Sequence, residues 1–166
     1  MGERLTKTDI EKIKKEIEHR TLVIRKEAIE AVKEARAQGD LSENFEYYAA
    51  KKYKNENESR ITYLEKMLRS AEVVEDDSSE DEVGLNDTVE LLFEDDKSVA
   101  EYKIVTSIRA NSLKKLISIE SPMGAALVGH SIGDRVTIKV NDDISYVVKI
   151  QDIVKADDED EDIRKF

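Results

Sequence analysis

Asp40 and Glu43 stand three residues apart within the stretch Arg36–Tyr48, where one helical pattern gives way to another. Both side chains are ordinary carboxyls, ionised at neutral pH. Two chemistries suit that spacing. As a capping box, Asp40 accepts from backbone N–H groups at a helix start, and Glu43 adds negative charge to the first turn. As a pair of hard oxygen donors, they suit Mg²⁺, which takes carboxylates and water. Two carboxylates on an exposed tip hold such an ion weakly. They become effective when carried to another macromolecule that already holds one metal and a phosphodiester, where they complete a two-metal site and orient a water. The two histidines, His19 and His130, lie far along the chain from the pair, there is no cysteine, and no glycine-rich phosphate loop occurs. A histidine base, a zinc site and a self-sufficient nuclease therefore lack ligands.

The elements around the pair predict a tip. From about Lys7 to Gln38 there is no proline or glycine and strong helix formers dominate. Ile10, Ile17, Ile24 and Ala31 recur every seven residues, with Ile13, Ala28, Val32 and Ala35 on the same side. Gly39 breaks the pattern, as a residue free to take positive φ at a helix end does. A second run from about Leu41 to Val74 carries Tyr47, Ala50, Ile61, Leu64, Leu68 and Ala71, with the polar Lys54 and Asn57 at intervening seam positions, where looser packing is expected. Two such stripes joined by a short turn bury each other as an antiparallel coiled coil; packing into a larger bundle is disfavoured because no third long helix follows.

Composition sets the context. With 39% charged and 39% hydrophobic residues in 166, the core must be thin. The absence of cysteine suits a reducing cytoplasm. No apolar run approaches the roughly 18 residues that span a bilayer, so no membrane partner is expected. The net charge of −11 is unevenly spread: residues 1–73 hold 16 Lys and Arg against 15 Asp and Glu, leaving 11 against 23 in residues 74–166. If a nucleic acid is a partner, the first half is the part that meets it.

In the second half the period changes to two. Strands are expected at 88–93, 100–105, 116–119, 135–140 and 145–150, with Asn141, Asp142 and Asp143 as a hairpin turn. Ser121 is placed to cap a short helix with Pro122 at its first position, ending at Gly129. The expected class is α+β: an N-terminal antiparallel helical hairpin (residues 1–75), an acidic linker (76–83), a mostly antiparallel β domain (84–155) and a disordered acidic tail (156–166).

The tip sequence Gly39-Asp40-Leu41-Ser42-Glu43-Asn44, preceded by Glu34-Ala35-Arg36 and followed by Glu46-Tyr47 and Ala49-Ala50-Lys51, is a specific signal. Arg60-Ile61, Leu64-Glu65, Ser121-Pro122-Met123-Gly124, Ala126-Leu127-Val128-Gly129 and Gly133-Asp134 follow in order. Over nearly the whole length, the chain resembles the Gre family of bacterial transcript cleavage factors. The resemblance implies a coiled-coil finger and an FKBP-like domain without isomerase activity. That domain docks at the rim of the RNA polymerase secondary channel, and the finger reaches the active site. In a backtracked complex, Asp40 and Glu43 would help hold a second Mg²⁺ and a water while the polymerase hydrolyses the displaced 3′ segment of nascent RNA. The factor is then an accessory rather than an enzyme, a monomer that binds no metal stably alone. On matching positions, Asn44 supports the tip, Arg36 and Lys51 attract RNA, and Ser121 and Pro122 serve docking. Lys52 and Lys54 either extend the basic patch or form a solvated helix face. Tyr47 and Tyr48 are candidates for stacking on a base, with seam packing the alternative for Tyr47. Two departures stand out: Phe45 where alanine is usual, and Lys26 where proline is usual, which predicts a straighter first helix. A second function class, a channel-binding regulator that inhibits without cleavage, is distinguished in such relatives by an altered tip.

Overall fold

The computed structural model describes residues 2–39 and 44–165. It contains two compact units, one built on Ile10–Ala71 and the other on Arg4–Asp9 with Glu72–Lys165. The class is α+β. Among the described residues no helix is long and apolar enough to cross a membrane.

The first unit is the helical hairpin. It contains α1 (Lys7–His19) from Ile10 onward, a π-helical turn (Arg20–Ile24), α2 (Arg25–Ala37) and α3 (Phe45–Ser70). Pairings run in opposite senses along the helices: Glu16 meets Arg60, Arg20 meets Asn57, and Ala35 meets Asn44. Ile13, Ala28, Ala35, Ile61, Leu64 and Met67 are buried. Ile10, Ile17, Ile24 and Tyr47 are only half-buried, because a two-helix seam leaves the flanks of each stripe to water.

The predicted looseness at Asn57 is replaced by a polar clasp. Asn57 is 2% exposed. It accepts from Arg20 Nη1 at 3.1 Å and donates through Nδ2 to the Arg20 carbonyl at 3.1 Å. That carbonyl also accepts from the Arg25 N–H, five residues on, which is the defining bond of a π turn. The first helical run is therefore interrupted by a π turn at Arg20–Ile24. One turn lower, Arg60, 5% exposed, donates to Glu16 at 2.8 Å, and Arg20 donates to the same carboxylate at 2.7 Å. Burial raises the Glu16 pKa, but its bonds to Arg60 and Arg20 outweigh that and hold it below the ordinary 4.5.

α3 also ends earlier than expected. After Ser70 the chain becomes β2 (Glu72–Val73), paired in parallel with β1 (Arg4–Leu5) in the second unit. Residues 4–9 thus group with the second unit, where Leu5 is fully buried, rather than with the expected 1–75 finger. Thr6 and Asp9 cap the start of α1 reciprocally, each backbone N–H bonding the other's side chain.

The main sheet of the second unit contains β3 (Thr88–Phe93), β4 (Val99–Val105), β5 (Leu116–Ser118), β6 (Arg135–Lys139) and β7 (Ser145–Val154), in the order β5-β4-β3-β7-β6. The β3–β4, β3–β7 and β6–β7 pairs are antiparallel, and β4–β5 is parallel. Alternation puts Val89, Leu91, Val136, Ile138, Val148 and Ile150 on one face, where they form a core with Val83, Ile104 and Leu127. Leu127 comes from α4 (Pro122–Leu127), which packs on β6 and β5.

Two segments expected to be loose are pinned by charge. In the linker, Lys155 Nζ donates to Ser78 Oγ, the carbonyls of Ser79 and Glu82, and Asp87 Oδ2. In the acidic tail, Glu159 and Glu161 pair with Arg109 at 3.2 and 2.8 Å, and Asp158 and Glu161 with Lys103 at 3.2 and 2.8 Å. The tail carboxylates thus supply partners to the buried Arg109 and to Lys103. Arg109 also pairs with the fully buried Asp9 at 2.8 Å. Burial raises the Glu161 pKa, yet Lys103 and Arg109 bring it below 4.5.

Replacing Arg109 by Met should leave the buried Asp9 without its cation and cost the second unit about 3–5 kcal/mol, read from urea unfolding followed by circular dichroism. Glu16 and Glu161 both have folded pKa values lowered from 4.5. Their stabilisation is complete above the unfolded carboxyl range and lost as pH falls through the depressed values. Thermal melts should accordingly show a plateau above that range and a declining melting temperature below it, with Glu16→Gln flattening the decline in the hairpin.

Candidate functional site

The end of the hairpin is built by backbone groups that a helix cannot satisfy internally. The last carbonyls of α2 and the first N–H groups of α3 both need partners. Asn44 serves both. Its backbone is extended (φ −91°, ψ 92°), its Oδ1 accepts from the Tyr47 N–H at 3.0 Å, and its Nδ2 donates to the Ala35 carbonyl at 2.6 Å. One amide therefore caps α3 and ties it to the last turn of α2. Gly39, at φ +118°, takes the left-handed conformation that lets the chain leave α2.

Asp40 and Glu43 lie outside the described residues. The cap of α3 belongs to Asn44, so the capping box read at Asp40 is not the one that starts this helix. Asparagine is among the strongest N-cap residues, so that signal was present at Asn44; the reading stopped four residues early because Asp40-x-x-Glu43 satisfies the pattern too.

Arg36 lies in the last turn of α2, where a cation complements the helix dipole, and its guanidinium stands 5.8 Å from the centroid of the Tyr47 ring. Tyr47 is half-buried, and its ring meets that of Tyr48 edge-on at 5.6 Å. Arg36, Asn44 and Tyr47 are thus brought together at the hairpin end. Lys51 and Lys52 sit farther along α3, both exposed, with Lys52 4.0 Å from Glu56. Lys54 is half-buried. Tyr48, Lys51, Lys52, Asn55, Glu56 and Ser59 line a shallow open groove on α3.

Ser121 and Pro122 belong to the second unit. Ser121 Oγ accepts from the Gly124 N–H at 3.0 Å and donates to the Ser118 carbonyl at 2.6 Å, and Pro122 occupies the first turn of α4. Gly124 packs so closely that an added Cβ would collide with the Ser118 carbonyl. The capping expected of Ser121 is present. Arg109, the most heavily paired side chain of this unit, escaped the sequence reading, since an isolated arginine carries no local sign of burial.

Among the described residues no group of three or more His, Cys, Asp or Glu side chains is placed to hold a metal ion.

Comparison with known proteins assigns each part of the chain. Residues 3–73 match the family described as transcription elongation factor, N-terminal, and residues 78–155 match transcription elongation factor, GreA/GreB, C-terminal. The chain is 42% identical over 153 residues to the transcription elongation factor GreA of Lachnoclostridium phytofermentans, covering 92% of this chain and 95% of that one. It is 39% identical over 152 residues to the GreA of Mesoplasma florum, covering 90% and 96%. Against the solved structure of the transcription factor Gfh1 the identity is 28%, the coverage 92% and 97%, and the TM-score 0.46.

Asn44→Ala removes the cap and the bond to Ala35 together. It should destabilise the hairpin by about 1–2 kcal/mol and speed amide exchange in the first turn of α3, measured by hydrogen exchange with mass spectrometry.

Proposed function

Because the chain belongs to the GreA/GreB family of transcription elongation factors, we propose that it enters the secondary channel of bacterial RNA polymerase and stimulates cleavage of backtracked nascent RNA. The observation that carries this reading is the retention of Asp40 and Glu43 between Gly39 and Asn44, in a segment flanked by α2 and α3. Asn44 meets the capping need of α3, so that cap does not depend on the carboxylate pair.

Asp40 and Glu43 would hold the ion; their oxygen donors are of the kind Mg²⁺ takes. When bound beside a phosphodiester, that ion supplies charge neutralisation and a polarised water. The remaining roles fall to the chain itself. Asn44 keeps the ends of the two helices together, so the acidic segment is presented from a closed hairpin. Arg36 and Lys51 add positive charge close to the RNA 3′ segment, with Lys52 beside them. Ser121 and Pro122 shape the start of α4, the part of the second unit proposed to meet the polymerase. The factor acts as a cytoplasmic monomer and as an accessory: the bond is broken in the polymerase active site.

The test is a backtracked elongation complex with labelled RNA, followed by gel in the presence of Mg²⁺. The chain should accelerate release of 3′ fragments, and the double substitution Asp40→Ala with Glu43→Ala should reduce that acceleration by about a hundredfold or more, with little change in the factor concentration that half-saturates the polymerase. Slowed elongation without cleavage by the unmodified chain would instead make it the non-cleaving channel-binding regulator.

A further inference from the structure

Phe45 opens α3 with 86% of its surface exposed, and Tyr48, one turn on, is 52% exposed. Single apolar residues on a surface are ordinary. These two are three residues apart on one helix, and neither faces the seam: that side of α3 is occupied by Tyr47, Ala50 and the buried Asn57, Ile61 and Leu64. At 100° per residue, Phe45, Tyr48 and Lys52 (i, i+3 and i+7) form a single stripe on the solvent side, with Lys51 at its edge. The groove lined by Tyr48, Lys51, Lys52, Asn55, Glu56 and Ser59 continues the stripe away from the hairpin end.

We propose that Phe45 and Tyr48 form a stacking site for an unpaired nucleobase of single-stranded RNA, with Lys52 and Lys51 meeting the neighbouring phosphate. This deepens the proposed function and rests on it for the source of the RNA, the displaced 3′ segment. A base has a π-face whatever its sequence, so an exposed aromatic pair offers sequence-tolerant binding. Tyr48 to Lys52 is about 6 Å along the helix axis, within a lysine side chain's reach of the phosphate adjoining a stacked base. Lys51 and Lys52 on the next turn favour nucleic acid over an apolar protein surface; Lys52 lies 4.0 Å from Glu56 on an exposed face, an ion pair weak enough to yield to a phosphate. Tyr47, half-buried and covered on one side by Arg36, is left out of the site.

The full chain is added, without Mg²⁺ so that no cleavage intervenes, to a backtracked complex whose displaced 3′ nucleotide is 2-aminopurine. Stacking should quench its fluorescence. Phe45→Leu, which keeps an apolar side chain but no ring, should raise the factor concentration for half-maximal quenching by about tenfold, and Tyr48→Ala should act in the same direction. In the presence of Mg²⁺, both variants should show that loss for cleavage of base-bearing RNA and none for RNA with an abasic 3′ nucleotide. Absence of quenching by the unmodified chain would overturn the stacking site even if cleavage is stimulated. Quenching without cleavage would leave the stacking site standing and remove the cleavage reading. Equal losses by both variants on base-bearing and abasic RNA would overturn the stacking site and show that the aromatics touch the polymerase wall instead.

Discussion

Arg109 is fully buried among the strands and turns of the second unit, where its charge has no water to solvate it. A cation in that position is tolerable only if carboxylates accompany it with good geometry. Asp9 reaches it from the amino-terminal segment, and Glu159 and Glu161 from the carboxy-terminal one. Two stretches with no regular pairing of their own to this region are thereby drawn onto the sheet. The same constraint operates in the hairpin, where Arg60 is buried against Glu16. A chain with as many charged as hydrophobic residues cannot exclude charge from its thin cores, so it buries charge in pairs.

The polar layer of the hairpin has a second effect. Apolar seams tolerate sliding, because one leucine contact resembles the next. Asn57 against Arg20 does not, since its amide matches one carbonyl and one guanidinium. A buried asparagine at a seam position specifies register at some expense of stability. Here it acts at the π turn, whose carbonyl has a second donor to accept. The register set there is consistent with that at the far end, where Asn44 joins Ala35.

The hairpin ends in two helix termini whose unsatisfied groups converge on one side chain. Asn44 satisfies a donor and an acceptor at once, a combination that neither aspartate nor serine offers with the same reach. Phe45, Tyr48 and Lys52 stand along the outer face of α3, away from the side that packs on α2.

The helical hairpin, the switch to a two-residue period in the second half, the Ser121 cap of α4 and the place of Asp40 and Glu43 between two helical runs are all legible in the chain. Each of these rests on a pattern that repeats or closes within a few residues, the range over which backbone geometry relates side chains. Folding is what buries Asn57, Arg60 and Arg109, gathers the linker onto Lys155 and lays the acidic tail on Arg109 and Lys103. Those outcomes depend on charges many residues apart finding one another, and an isolated arginine or a run of aspartates reads the same whether it is solvated or paired. Phe45 shows the same limit from the other side: its identity was plain in the chain, but its exposure beside Tyr48 and Lys52 was settled only when α3 turned its apolar stripe toward α2.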